Sequence, residues 1–350
     1  MKTFINETEL NAYTGKAFDL YFGGLKTAVF DIETTGLSPS RDKVILTGIL
    51  LIRSGTAKTI QFFAESPEDE KEVIENTIET LKQADLTITY NGKSFDLPFI
   101  AKRAEKNYAG PFPEIYNLDL YTIIRHYSDL GRFLDSLSQK NIENYLGISD
   151  IRKDRISGAQ SIKHYEHFVT TGSFDDERKI ILHNRDDILQ LYRLLPVLKN
   201  CDLHKALYAC GYPVGGIHVD SCRLSGTELM VRAHAIKRIK DYIAFPCPDF
   251  PCRVAASSKT GLLEIDFPAE YITESVLVID ALKLINGALN LILKSNTGQI
   301  DEASFPLPSY PAFQSGYLIL KQENRTNCLE INTFLIYFIK ILESALTQKT

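Results

Sequence analysis

Apolar runs bounded by turn residues predict the elements of the first half of the chain. Leu25 to Phe30 is apolar and partly β-branched and ends at Asp31; Val44 to Ile52 and Thr59 to Phe63 follow, after the turn-like stretches Ser38-Pro-Ser-Arg-Asp42 and Arg53-Ser-Gly-Thr56. Three consecutive strands with short links predict an antiparallel meander. Ser66-Pro67-Glu68-Asp69 supplies an N-cap, a proline suited to the first helical position and acids for the first turn, and so opens a helix with Val73, Ile74, Ile78 and Leu81 on its apolar face. Leu86-Thr-Ile-Thr-Tyr90 reads as a short strand stopped by Asn91-Gly92, and Pro98 lies just inside a helix from near Asp96 to about Lys106. A further strand at Tyr116 to Leu120 leads into Tyr121 to Tyr127, and Leu134, Leu137, Ile142 and Leu146 mark a mostly helical region. From Asp175, residues Ile181, Ile188, Leu191 and Leu195 share one helical face as far as Pro196. Strands, then alternation, then helices predict an α/β fold: a mixed sheet of five to six strands flanked by helices.

After about residue 200 the texture changes. Cysteines begin, charge thins, and turn residues such as Gly211-Tyr-Pro-Val-Gly-Gly216 interrupt the chain. Strand-like segments at Leu262 to Phe267 and Tyr317 to Lys321, with a closing helix from Leu329 to Leu346, predict a smaller α+β domain. The division expected is therefore residues 1–200 and an accessory domain over 201–350, whose sequence names no chemistry.

Composition narrows the class. The 350 residues are 44% hydrophobic and 24% charged, enough to bury a core and exclude an intrinsically disordered chain. Lys plus Arg is 39 against 44 Asp plus Glu, so bulk charge does not coat nucleic acid, although a local basic groove is compatible with it. Val44 to Ile52, Val276 to Leu293 and Phe334 to Leu346 are the best apolar runs, and they are too short or too interrupted to supply the roughly 20 residues that cross a bilayer. Met1 to Leu20 shows no apolar core behind a basic start, so a cytoplasmic protein without membrane partners is expected. All six cysteines lie after residue 200 and read as reduced thiols; Cys247 and Cys252 sit at the edge of zinc-ligand spacing, with no second tight pair to complete a site.

Three clusters combine acids with unusual local context. Asp31-Ile-Glu33-Thr-Thr-Gly36-Leu37 ends a strand, where residues i and i+2 share a face and both carboxylates project to one side. Asn91-Gly-Lys-Ser-Phe95-Asp96 spans a strand-to-helix junction. His183-Asn-Arg-Asp186-Asp187 lies inside the last helix, with His183 and Asp187 four apart on one face. Taken singly, each has a plain reading: a solvated strand end, a helix cap, a surface pair. Three in order on one mixed sheet is a more restrictive coincidence.

Together these blocks resemble the Exo I, Exo II and Exo III motifs of the DEDD 3′-to-5′ exonucleases, within the ribonuclease H-like fold. Asp31 and Glu33 match Asp-x-Glu, Asn91-xxx-Phe95-Asp96 matches Asn-xxx-Phe-Asp, and Asp187 matches the third-motif acid. The texture is similar to that of the bacterial YprB-like predicted exonucleases from about Val29 to Leu195, including Leu118-Asp119-Leu120 and Tyr145-Leu-Gly147, a little over half of the chain. One departure stands. The family places Tyr four before the third Asp, or His five before it; here His183 stands four before Asp187, which leaves the subclass open. Asp186 as the alternative ligand would put Leu182 or Ile181 in those positions.

The resemblance implies two divalent ions, Mg²⁺ or Mn²⁺, because hard cations take oxygen ligands and neutralise acids that would otherwise repel. It implies Asp31 as the bridging ligand, Glu33 and Asp187 on the ion that activates water, Asp96 on the leaving-group ion, and His183 orienting or deprotonating the water. Thr34, Gly36, Leu37, Asn91, Lys93 and Phe95 fall on the substrate side, with Leu37 against the terminal nucleotide and Phe95 able to stack on a base. Lys93, Arg185 and the run Arg152-Lys-Asp-Arg155 are candidate phosphate contacts. The partner implied is nucleic acid with a single-stranded 3′ end, DNA or RNA, since no reader of the 2′-hydroxyl is identifiable. A non-catalytic nucleic-acid-binding or scaffold protein, and a structure-selective endonuclease, are the competing functions.

Overall fold

The computed structural model describes residues 1–53, 55–154, 156–295, 313–314 and 316–347; Ser54 of the turn before Thr56 and Arg155 of the basic run lie outside the described residues. Tertiary contacts gather the chain into two compact units, Met1–Asp202 and Leu203–Thr350.

In the first unit, β1 (Lys2–Glu9), α1 (Lys16–Phe22), β2 (Thr27–Thr34), β3 (Val44–Ile52) and β4 (Thr56–Phe63) precede α2 (Glu70–Leu81), β5 (Leu86–Thr89), α3 (Asp96–Asn107) and β6 (Tyr116–Asp119). The six strands form one sheet in the order β1-β4-β3-β2-β5-β6. β2, β3 and β4 are the expected antiparallel meander, with Asp31 opposite Gly48 and Ile49 opposite Ile60. β5 and β6 run parallel to β2, each reached through a helix. β1 pairs antiparallel with β4 at the edge; most of its side chains face solvent, so it carries no apolar run to reveal it.

β3 is buried at every position but its last because helices cover both faces of the sheet. On one face Val73, Ile74, Ile78 and Leu81 of α2 pack with Val44, Ile49, Ile60 and Phe62. On the other, Ile45, Leu46 and Phe63 meet Tyr165, Phe168 and Ile180, which come from α6 (Gly158–Thr171) and α7 (Phe174–Arg193); α4 (Leu120–Tyr127) and α5 (Gln139–Tyr145) intervene in the chain. Ser66 and Asp69 close a capping box over a short 3₁₀ turn, which hands the chain to α2. Glu70 then pairs with Arg103 of α3 and accepts the Val44 backbone N–H at 2.8 Å, tying both helices to the start of β3.

Two local features aim the ends of the elements. Asn91 adopts a positive φ of 64°, and Asp119 accepts the backbone N–H groups of Asn91 (2.9 Å), Lys93 (3.0 Å) and Thr122 (3.2 Å). The loop before α3 is thereby fastened to the start of α4. Gly48 sits mid-strand where a Cβ would stand 2.1 Å from Asn184 Oδ1, so α7 approaches the sheet closely enough for Asn184 to reach β2.

The second unit contains α8 (Leu203–Cys210), β7 (Tyr212–Val214), β8 (Ile217–Ser225), β9 (Glu228–Ala235), β10 (Tyr242–Ala244), β11 (Arg253–Ala256) and β12 (Leu262–Pro268), then β13 (Glu270–Thr273), β14 (Val276–Asp280), α9 (Ala281–Ser295), β15 (Phe313–Gln314), β16 (Tyr317–Gln322), β17 (Arg325–Thr326) and α10 (Cys328–Leu346). Its strands form two antiparallel sheets, β10-β11-β12-β9-β8-β7 and β13-β14-β16-β15 with β17 on β16. Phe334 and Phe338 of α10 pack on Phe267 of β12 with ring centroids 5.5 and 4.9 Å apart. The two expected strands and the closing helix are β12, β16 and α10; the remaining strands are short or polar on one face and escaped the sequence reading. Among the described residues, no helix is long and apolar enough to cross a membrane.

Gly48→Ala should lower the stability of the first unit by about 1–3 kcal/mol, since the methyl group must displace Asn184 from a packed interior. Urea unfolding of the full chain measures this, and an unchanged midpoint would contradict the close approach.

Candidate active site

β2 carries Asp31 and Glu33 out of the middle of the sheet on one face. Asp96, in the first turn of α3, accepts the backbone N–H of Ile32 at 3.2 Å, so its carboxylate is held against the strand segment between those two acids. α7 supplies the rest. Asn184 Nδ2 donates to Asp31 Oδ2 at 2.9 Å, and Asn184 Oδ1 accepts from Gln61 Nε2 at 2.8 Å. His183, the residue before Asn184, places its Nε2 3.7 Å from Glu33 Oε1 and 3.4 Å from Oδ2 of Asp187, one turn on. A cavity of about 600 Å³ opens over this cluster; Asp31, Glu33, His183 and Asp187 line it together with Leu37, Phe95 and Lys140.

Behind the cavity, residues 152–154 run along α7 and are fixed to it at three points. Arg152 Nη1 donates to Asp187 Oδ1 at 2.5 Å and to Asp154 Oδ1 at 2.8 Å, while its other nitrogens meet the buried Glu143. Asp154 Oδ2 lies 2.5 Å from His183 Nδ1. Asp186 accepts the backbone N–H groups of Lys153 (2.5 Å) and Asp154 (2.8 Å). Of the two adjacent acids, Asp187 therefore faces the cluster and Asp186 is engaged with backbone.

The remaining candidates are distributed unevenly. Thr34 and Leu37 line the cavity; Thr34 is buried and donates to the Gly36 carbonyl at 2.7 Å, while Leu37 is 82% exposed. A Cβ on Gly36 would meet Asp42 Oδ2 at 2.5 Å, which explains the glycine by close approach. Phe95 lines the cavity and packs on Phe99, with ring centroids 5.4 Å apart. Gly36, Asn91 and Lys93 are not among the lining residues; Asn91 is half-buried in the loop held by Asp119, and Lys93 is exposed beside it. Arg152 corrects the expectation of a phosphate contact: it is an interior counter-charge for three acids, and its guanidinium is spent. Arg185 is half-buried on α7, and Arg155 lies outside the described residues.

Sequence reasoning passed over Gly48, Gln61 and Asp154, and gave Asn184 and Asp119 no supporting role although both lie in segments it singled out. A glycine inside the apolar run Val-Ile-Leu-Thr-Gly-Ile-Leu-Leu-Ile signals close backbone approach, and Asn184 beside His183 was within reach. Asp154, 29 residues from His183, carried no local signal.

Crowding sets the charge state. Packing around Asp31 raises its pKa well above the usual carboxylate range, Asp96, Asp187 and Glu33 add to the rise, and the Asn184 amide opposes it. Burial raises Glu33 to about 7, with His183 opposing. Burial likewise raises Asp96 to about 7 against backbone N–H donation from Ile32. Asp187 is raised by burial while His183 and Arg152 hold it down. For His183, burial works against the proton but is outweighed by Asp154, Asp187 and Glu33, and the net shift is upward. Among the described residues, Glu33, His183 and Asp187 bring ligand atoms within 4.8 Å of one another. Oxygen donors plus one imidazole, with acids reluctant to ionise alone, fit a divalent cation.

Residues 28–199 match the family described as RNase_H superfamily, and the first unit has a ribonuclease H-like fold. A DNA polymerase of Methanocaldococcus jannaschii is 34% identical over 104 residues, covering 27% of this chain and 6% of that polymerase. A DNA polymerase of Pyrococcus glycovorans is 37% identical over 93 residues, covering 23% of this chain and 12% of the other. The chain spans only a small fraction of the length of these curated relatives. Among solved structures, the family B DNA polymerase of Pyrobaculum calidifontis aligns with a TM-score of 0.40 at 17% identity, over 88% of this chain and 41% of that one.

The raised carboxyl groups dictate a pH dependence. Glu33 and Asp96 move from ordinary values of 4.5 and 3.8 to about 7, so across that interval the folded state binds more protons than the unfolded one. Stability of the metal-free protein must then fall as pH rises from about 4 to about 7. Melting temperatures in EDTA should decline through this window, Mg²⁺ or Mn²⁺ should offset the decline at its upper end, and Asp31→Asn should flatten it. A melting temperature that climbs across the window in EDTA would contradict these charge states.

Proposed function

We propose that this chain is a metal-dependent nuclease that hydrolyses DNA or RNA phosphodiesters from a 3′ end and releases nucleoside monophosphates. The single observation that carries the reading is the convergence of Asp31, Glu33 and Asp187 at one cavity of a ribonuclease H-like unit, with Asp96 held beside Asp31 through the Ile32 backbone. The named relatives are DNA polymerases, which supports nucleic acid as the substrate.

Asp31, Glu33, Asp96 and Asp187 would hold two divalent ions, which would supply water activation and charge neutralisation for in-line displacement at phosphorus. Asp31 is the acid most exposed to the charges of the other three, which suits a shared ligand, and Asn184 keeps its second oxygen oriented. His183 directs Nε2 between Glu33 and Asp187, where it orients the attacking water or takes its proton. The water oxygen bonds to phosphorus, and the 3′-oxygen of the preceding nucleotide leaves with the electron pair. Leu37 and Phe95 present apolar surface on the cavity wall to the terminal nucleotide, and Thr34 holds the Gly36 carbonyl beside them. Asn91 and Lys93 act from the flanking loop, Lys93 as a phosphate contact.

Single-stranded DNA and RNA labelled at the 5′ end, with the 3′ end free or blocked, test the reading in Mg²⁺, Mn²⁺ or EDTA. Wild type should produce a ladder from the free 3′ end only, abolished by EDTA and slowed about 100-fold or more by Asp31→Ala. Internal cuts on blocked strands would identify an endonuclease instead, and retention without cleavage a binding module.

A further inference from the structure

The strip 152–154 belongs to none of the three acid-bearing motifs, yet it touches His183, Asp186 and Asp187 together. We propose that Asp154 is a positioning residue that fixes His183 in the tautomer with the proton on Nδ1, so that the Nε2 lone pair points at the reacting centre. The role assigned to that lone pair rests on the nuclease reading above.

His183 is 4% exposed, so solvent cannot orient its ring. Its Nδ1 lies 2.5 Å from Asp154 Oδ2, and an ionised carboxylate only accepts hydrogen bonds. The proton must therefore sit on Nδ1, and in the neutral ring Nε2 keeps a lone pair. Nε2 stands 3.7 Å from Glu33 Oε1 and 3.4 Å from Asp187 Oδ2, so it opens between the two acids with neither as a close partner. Asp154 is kept ionised by Arg152 Nη1 at 2.8 Å, with Lys140 Nζ at 3.7 Å beyond it. Nor can it swing away, because Asp186 grips its backbone N–H at 2.8 Å and Arg152 grips Asp187. A carboxylate needed only to balance Arg152 would have no reason to meet the imidazole. Carboxylate-to-histidine contacts of this kind commonly fix ring orientation and basicity behind a metal or a nucleophile.

Full-length metal-free protein labelled with ¹⁵N-histidine, studied above neutral pH by long-range ¹H–¹⁵N correlation with His183→Gln as the assignment control, reads the tautomer directly. Wild type should show a protonated Nδ1 and a bare Nε2. Asp154→Asn, whose amide can donate to Nδ1, should invert the tautomer and lower kcat by about 100-fold or more with KM little changed. Asp154→Glu should retain the wild-type tautomer and recover part of the rate. A neutral ring with its proton on Nε2 and none on Nδ1 in the wild type would overturn the proposal, as would an Asn variant with unchanged tautomer and kcat. If Asp154→Asn does not fold, the wild-type spectrum decides alone. If the wild type cleaves nothing while showing the expected tautomer, the nuclease reading fails and the positioning of His183 stands.

Discussion

Like charges brought together where water is scarce govern this molecule. Asp31, Glu33, Asp96 and Asp187 come from a strand and two helices; three of them line one cavity, Asp96 is held beside Asp31, and packing around each disfavours ionisation. Such a cluster costs stability, so the surrounding structure is arranged to contain it. Gly48 removes the Cβ that would hold α7 away, Asn184 reaches Asp31, and Gln61 fixes the Asn184 amide from the neighbouring strand. Asp119 restrains the loop that delivers Asp96.

Compensation is asymmetric. Asp187 has Arg152 beside it, and the same guanidinium serves Asp154 and Glu143. Among the described residues no lysine or arginine pairs with Asp31, Glu33 or Asp96; their partners are an amide, an imidazole and backbone N–H groups. Asp31 and Glu33, which line the cavity, are among the acids left without a cation. A buried arginine thus secures one edge of the cluster, while the acids of the other edge are neutralised either by protons or by a cation from outside.

How legible this was depends on whether a feature is local. The β2–β3–β4 meander, the proline-started helix after Ser66 and the Asp96 helix each announce themselves through apolar runs and caps within a few residues, and the structure contains all three. β1 was missed because an edge strand with mostly exposed side chains has no hydrophobic period, and most strands of the second unit because they are short or polar on one face. The acids were readable as motifs, since their spacing follows strand and helix geometry. Their supports were not: Gln61 to Asn184 and Asp154 to His183 are contacts across long stretches of chain, and nothing in either segment alone implies the other. Arg152 was misassigned for the same reason, since a basic residue in a run of charges looks solvated until the acids it meets are seen.

Calorimetric titration of the full chain with Mn²⁺ in two buffers of different ionisation heat, near neutral pH, bears most directly on this account. It predicts saturable binding accompanied by net release of protons to the buffer, with both lost in Asp31→Asn. Binding that is absent in the wild type, or that proceeds without proton release and survives Asp31→Asn, would contradict it.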